Sequence, residues 1–320
     1  MKKSPVARLQ VTAEHAGRRL DNFLLGYLGN IPKSRVYQML RKGEVRVNGA
    51  RARQGYRLQA GDILRLPPVY SPSSGQETAP PGYLLNKLQD NVLYEDQFLI
   101  VINKPAGIAV HAGKSEPFGI IELLRHSRPT DSVLELVHRL DKPTSGCLLV
   151  ARDHRVLRQL HEQLRDGSVE KYYLALLMGE FKSGRQVNNA LRINRHQATG
   201  KKVRIADQGK AARSLFQPLA VSPDATLTRV RITTGKTHQI RVHAAGMGHP
   251  VAGDMKYGDR AFNRAMSAKG LKRMFLHAWQ MKIRLPYNNE YGVFTAPLPQ
   301  DLQDLAGEMF NEYVSFDEVS

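Results

Sequence analysis

Cysteine is all but missing from these 320 residues: Cys147 stands alone, so no internal disulfide can form and the paired CxxC ligands of structural zinc sites are absent. A reducing, cytoplasmic setting is expected. No run approaches the roughly 18 consecutive apolar residues that a membrane span needs, and Met1-Lys2-Lys3-Ser4-Pro5 leads into mixed polar sequence without the apolar core of a signal peptide. The expectation is a protein that stays where it is made, with no membrane partner. A glycine-rich cofactor loop is missing too. Gly235-Lys236-Thr237 has the end of a phosphate-binding loop, but the glycine required five residues earlier is Val230. Nucleoside triphosphate and methyl-donor chemistry therefore find no support, and no cofactor is expected. His238 and His243 are five apart, which puts them on different sides of a helix or a strand, so no metal is expected either.

Negative charge is also short. Lys and Arg number 47 against 29 Asp and Glu, a formal +18, and so basic a surface attracts polyanions at long range. Nucleic acid becomes the expected partner. The imbalance is concentrated at one end: residues 1–66 hold 14 Lys and Arg and only 4 Asp and Glu, a net +10. Residues 301–320 reverse it, with six acids and no Lys or Arg, and read as an acidic helix and tail. At 42% apolar residues the chain can build a real core, one large domain plus a small one.

Leu20, Phe23, Leu24 and Tyr27 recur at three and four residues, predicting a helix from Arg18 to Leu28 that Gly29 and Asn30 end. Pro32 opens a second helix through Leu40, with Val36, Met39 and Leu40 inward and Lys33, Arg35, Arg41 and Lys42 outward. Val45-Arg46-Val47 alternates, Asn48-Gly49 signals a two-residue hairpin turn, and a strand follows at Ile63 to Leu66. Helix, helix and small sheet with basic faces resembles the α-L, or S4-type, RNA-binding module. Arg19-Leu20-Asp21-Asn22-Phe23-Leu24 and Gly43-Glu44-Val45-Arg46-Val47-Asn48-Gly49 carry the likeness. It makes Arg19, Lys33, Arg35, Arg41, Lys42 and Arg46 candidate RNA contacts.

Residues 67–82 hold five prolines among serines and glycines, and a linker is expected over residues 67–88. Beyond it, strands are expected at Asn91 to Tyr94, Phe98 to Asn103, Ser145 to Ala151, Val169 to Met178 and Thr226 to Thr233. Helices are expected at Gly119 to His126, Asp153 to Arg165 and Asp301 to Tyr313. Uneven spacing and long neighbouring strands favour an α+β domain over residues 89–300 rather than a repeating parallel unit.

Reactive side chains are densest in Val137-His138-Arg139-Leu140-Asp141-Lys142-Pro143-Thr144-Ser145-Gly146, directly before the apolar run Cys147-Leu148-Leu149-Val150. Asp141 thus belongs at a turn mouth held by a sheet, where catalytic groups concentrate, and Cys147 belongs in the core. His138-Arg139-Leu140-Asp141, with Thr144 to Val150 behind it, resembles the signature of the RluA-type pseudouridine synthases. Asn103-Lys104-Pro105-Ala106-Gly107, Val110-His111, Lys171-Tyr172-Tyr173-Leu174-Ala175, the run Gly235 to His243 and Phe275-Leu276-His277-Ala278 agree in order across residues 90–297. Residues 109–113 and 118–122 look closer to the RluC branch than to the RluD branch, departing at Ala112, where those branches carry glycine and proline.

The resemblance implies a pseudouridine synthase fold, a largely antiparallel mixed sheet with flanking helices. It also implies isomerisation of uridine in large-subunit ribosomal RNA or its precursor particle, by a cofactor-free enzyme read as a monomer. That reaction breaks the ribose-to-nitrogen bond, turns the base and rejoins it through carbon 5, using Asp141 as nucleophile or base. Burial favours the neutral form of a carboxyl, a fixed cation opposes it, and the resemblance gives that part to Arg241. It assigns Tyr173 to stacking and proton transfer at carbon 5, Leu276 to the other face of the base, and Arg139 to the gap left by a flipped nucleotide. His138 joins them as a substrate contact. Two rival readings are a catalytically silent RNA-binding assembly factor and a synthase acting on transfer RNA. The presence of Asp141, Tyr173 and Arg241 weighs against the first, and the basic module with its linker favours ribosomal RNA over the second.

Overall fold

The computed structural model describes residues 2–3, 6–28, 31–68, 70–71, 79–113, 116–196 and 200–310. The expected helix stop at Gly29 and Asn30, much of the proline-rich segment and the acidic tail beyond residue 310 lie outside these. Contacts divide the chain into two units, residues 1–79 and 80–320.

In the first unit, helices Leu20–Tyr27 and Lys33–Lys42 pack on a four-stranded sheet ordered Ala7–Gln10, Ile63–Leu66, Arg46–Val47 and Ala50–Arg51. The apolar stripes meet, with Leu20, Leu24, Val36, Met39 and Val45 fully buried in one core, but Tyr27, read as the last position of the first stripe, is half-exposed and only stacks on Phe23. Gly43 takes φ 70° and ends the second helix in the left-handed conformation that glycine adopts without a Cβ penalty. Asn48 and Gly49, at φ 51° and 80°, turn the predicted hairpin.

The second unit is built on a ten-stranded sheet whose main path runs Arg185–Val187, Ser214–Val221, Ala225–Ile232, Glu170–Met178, Leu276–Arg284, Ser145–Ala151, Leu99–Lys104 and Val92–Glu95. Ser145–Ala151 against Leu276–Arg284 is parallel, Ser145 opposite His277 and Gly146 opposite Ala278; the other pairings on that path are antiparallel. The expected α+β architecture is present. One face of the sheet packs on helices Ile120–Ser127 and Gln239–Gly246, through Leu148, Val230 and Ala175 among others. The opposite face packs on helix His154–Asp166, through Cys147 and Leu149, and on Arg260–Ala268 and Gln300–Phe310, through Leu174 and Trp279. Ser145–Ala151 is buried along its whole length, as a strand covered on both faces must be. Cys147 lies in that strand with its thiol against the Phe294 carbonyl at 3.2 Å, and burial pushes its pKa up to about 12.

The expected linker bound needs correction. The stretch read as the end of the linker forms a helix, Gly82–Gln89, because Leu84, Leu85 and Leu88 supply an apolar stripe that packs into the same core as Ile120 and Leu124. The middle of Glu170–Met178 is buried on both faces, since helices cover both sides of the sheet there.

Candidate active site

Asp141 sits in the loop between Glu135–Leu136 and Ser145–Ala151, and its backbone is held from two directions. The Lys142 carbonyl accepts hydrogen bonds from Gly107 N–H at 2.9 Å and from the Lys104 ammonium at 3.3 Å. Lys104 also donates to the carbonyls of Pro105 and Ile108, so the Asn103-Lys104-Pro105-Ala106-Gly107 turn is locked under the Asp141 loop. Burial, with Arg273 nearby, lowers the Lys104 pKa to about 7. On the other side, Val137 N–H donates to Leu149 O at 3.0 Å, and Leu149 N–H donates to His138 Nε2 at 3.2 Å. One His138 nitrogen is thus committed to the sheet, and burial lowers its pKa to about 3, leaving the ring neutral.

Arg241 comes from helix Gln239–Gly246, one hundred residues along the chain, and joins two carboxylates. Its Nη1 donates to Asp141 Oδ2 at 2.8 Å, while Nε and Nη2 grip Asp254 Oδ2 and Oδ1 at 2.7 and 2.8 Å. Asp254 is buried and is itself fixed by N–H groups of Lys256 and Tyr257. Burial works against the Asp254 charge, but Arg241 and these donors outweigh it and hold its pKa below the usual carboxylate range. The clamp aims Nη1 at Asp141 with little rotational freedom.

Thr237, a residue type that often caps a helix, lies one position before the cap of helix Gln239–Gly246. His238 takes the cap position at φ 54°, and no side chain caps the helix. Gln239 closes the preceding turn: its Oε1 accepts from the Thr234 hydroxyl and Lys236 N–H, and its Nε2 donates to Arg213 O and Ser214 Oγ. His238 Nδ1 lies 2.7 Å from the Tyr257 hydroxyl, which accepts from Val203 N–H at 2.9 Å. His238 Nε2, on the other side of the ring, lies 3.8 Å from Asp141 Oδ2. Burial lowers the His238 pKa, opposed by Asp141 and reinforced by Arg241 and Lys256. His243 is fully buried between Ser214 and the Asn189 carbonyl.

Asp141, His238, Gln239 and Arg241 line one cavity of about 540 Å³ together with Tyr173, Leu276, His138, Arg139 and Lys171. Strand Glu170–Met178 shifts register against Leu276–Arg284 between Tyr172 and Tyr173, leaving Trp279 as the extra residue of a bulge, the kind of irregularity that re-aims a side chain. Tyr173 is buried, and burial, then the Asp141 charge, raises its pKa. Arg139 is exposed at the rim. All six cavity residues named from sequence are therefore brought together. Asp254, His238 and Tyr257 were not foreseen as part of the cluster. His238 lay inside a motif already quoted, whereas Asp254 and Tyr257 lie in an aperiodic stretch that offered no signal.

In the first unit the six basic candidates differ in availability. Arg19 forms a two-point ion pair with Asp21, Arg35 pairs with Glu44 at 3.0 Å, and Arg46 donates to Gly49 O. Arg41 and Lys42 are exposed in the last turn of their helix, and Lys33 lies over the Tyr37 ring.

Comparison with known proteins agrees with this geometry. The profile of the RNA pseudouridylate synthase family matches residues 98–246, which include Asp141, Tyr173 and Arg241, and that of the S4 domain matches residues 18–64. A ribosomal large subunit pseudouridine synthase C of Pasteurella multocida (strain Pm70) is 46% identical over 308 residues, 95% of this chain and 94% of that protein. The protein of that name from Escherichia coli (strain K12) is 45% identical over 297 residues, 92% of this chain and 93% of its own. Among solved structures, human RNA pseudouridylate synthase domain containing 4 aligns with a TM-score of 0.59 at 26% identity, over 72% of this chain and 96% of that one.

Proposed function

Because the chain belongs to the RNA pseudouridylate synthase family, we propose that it converts particular uridines of large-subunit ribosomal RNA to pseudouridine, with Asp141 as the reacting carboxylate. The relatives reported carry the name of the branch that residues 109–122 resemble. The observation that carries the residue assignment is the Asp141–Arg241–Asp254 chain. Arg241 engages only Oδ2 of Asp141, and among the described residues no hydrogen bond reaches Oδ1. That oxygen is open to the cavity for attack or proton abstraction, while the cation on its neighbour opposes neutralisation.

The side chains suit the remaining steps. A uridine flipped from its stack loses base pairing and must be held by shape, and Tyr173 and Leu276 offer an aromatic and an aliphatic wall. Burial keeps the Tyr173 hydroxyl protonated, so it can take the proton leaving carbon 5 only as it passes its own proton on to a base, a carboxylate or solvent. Arg139, exposed at the rim, is placed to contact the RNA that the flipped base leaves, and neutral His138 sets the height of the loop. The reaction changes no oxidation state and needs no cofactor. Residues 1–66 act as the RNA anchor, with Arg41 and Lys42 foremost, residues 67–79 connect, the unit from residue 80, helix Gly82–Gln89 included, carries the chemistry and the acidic end follows. The protein works as a cytoplasmic monomer.

Tritium release from RNA labelled at carbon 5 of uridine tests this directly. The intact protein is expected to release tritium from large-subunit ribosomal RNA without added cofactor. Asp141→Asn is expected to slow release at least ~1,000-fold while RNA affinity stays within a few-fold. Release from bulk transfer RNA alone would redirect the substrate, and binding without release from any RNA would leave a silent RNA-binding scaffold.

A further inference from the structure

Among the described residues three Lys or Arg side chains are buried: Lys104, Lys171 and Arg241. Lys104 is satisfied by three carbonyls and Arg241 by two carboxylates. Lys171 is different. It is 5% exposed and lines the cavity, yet no hydrogen bond or ion pair reaches it among the described residues. Its charged neighbours in the cavity wall are Lys236 and, at the rim, Arg165; His138 beside it is neutral, and Asp141 is the one acid in the lining. Burying an ammonium next to a like charge without a counter-ion is costly, and the cost is offset when a ligand supplies the anion.

We infer that Lys171 and Lys236 form an anion subsite in the wall of this cavity for a phosphodiester of the target nucleotide. The inference rests on the proposed activity and names the part of the substrate that these lysines hold. Both line the cavity that Asp141 lines, Lys171 on the strand that carries Tyr173 and Lys236 in the turn before the helix that carries Arg241. A uridine with its sugar at Asp141 and its base along Tyr173 and Leu276 still brings its flanking 5′ and 3′ phosphodiesters as charged groups. Lys171 and Tyr173 are two apart on one strand and both line the cavity, so one element sets the distance between base wall and phosphate. Burial and Lys236 lower the Lys171 pKa to about 8, which a bound phosphate would raise again.

The test is a cycle between side chain and phosphate. After the target uridine has been located with the wild-type protein, RNAs are made with a single neutral methylphosphonate on its 5′ or its 3′ side. Lys171→Met is expected to lower kcat/KM about 10- to 30-fold on unmodified RNA, and Lys171→Arg to restore most of it. On one of the two methylphosphonate RNAs the wild type should fall by a similar factor, and Lys171→Met should cost no more than about twofold further. An undiminished Lys171→Met penalty on both neutralised RNAs, or no penalty on any RNA, would overturn the subsite. A second readout is independent of turnover. In Asp141→Asn protein, RNA affinity should weaken about fivefold more between pH 7 and 9.5 than in the Asp141→Asn, Lys171→Arg double variant, because only the lysine loses its charge in that window. Identical pH dependence also refutes it. Absence of tritium release in the wild type would sink the proposed activity instead, with the affinity measurement still deciding the subsite.

Discussion

Arg241 is shared between two carboxylates, and Asp254 rather than Asp141 holds it with two bonds. Asp254→Asn is expected to lower turnover about 10- to 100-fold, because a guanidinium freed to rotate displaces the carboxylate it points at. It should also destabilise the catalytic unit by about 3–5 kcal/mol, the usual cost of removing one partner from a buried pair. The pH dependence has a definite sign. The folded state depresses the Asp254 pKa, so its stabilisation is complete above roughly pH 4, the unfolded value, and is lost as pH falls through the lower native value. Urea unfolding followed from pH 7 down to pH 2.5 should show that acid loss in wild type and a flatter profile in the variant. Asp141 and Arg241 were legible because each lies in a dense polar motif beside an apolar element. Asp254 was not, since a lone aspartate between Gly253 and Met255 has no periodicity, and only the fold brings it to an arginine thirteen residues earlier.

At the scale of elements, the site depends on two strands meeting at one glycine. Gly146 has φ 110°, and a Cβ there would lie 2.1 Å from the Ala278 carbonyl oxygen of the parallel neighbour. Gly146→Ala therefore forces apart the strands that carry the Asp141 loop and Leu276. It is expected to cost roughly 3 kcal/mol or more, a fall in Tm of about 6–12 °C by calorimetry. Strands such as Ser145–Ala151 could be read from apolar runs, and the first two helices from their stripes. Leu276–Arg284, Ser214–Val221 and the hairpin Leu191–His196 with Gly200–Ile205 were harder. The hairpin's Leu191 and Val203 point inward between exposed Arg192, Lys202 and Arg204, so its burial depends on a few contacts, Tyr257 among them. Helix Gly82–Gln89 was hidden by the prolines before it, whose local signal outweighs a stripe only two turns long.

On the scale of the whole molecule, charge is divided unevenly between two units that differ in kind. Removing residues 1–79 is expected to leave the catalytic unit folded, because its core clusters are formed without them. RNA affinity should fall at least tenfold at about 0.1 M salt, and the slope of log affinity against log salt should drop by several, reflecting the net +10 of residues 1–66. An unchanged slope would take the anchoring role away from that unit. Its charge was plain in the composition, but the ties of Arg19 to Asp21 and Arg35 to Glu44 emerged only with the fold. The solitary Cys147, sealed inside its strand with a pKa near 12, has a practical corollary. Thiol reagents require an accessible thiolate, so a cysteine introduced at Ala60 or Lys202, both exposed, is the single handle that a maleimide dye will find, and either unit can be watched on RNA without first removing the native cysteine.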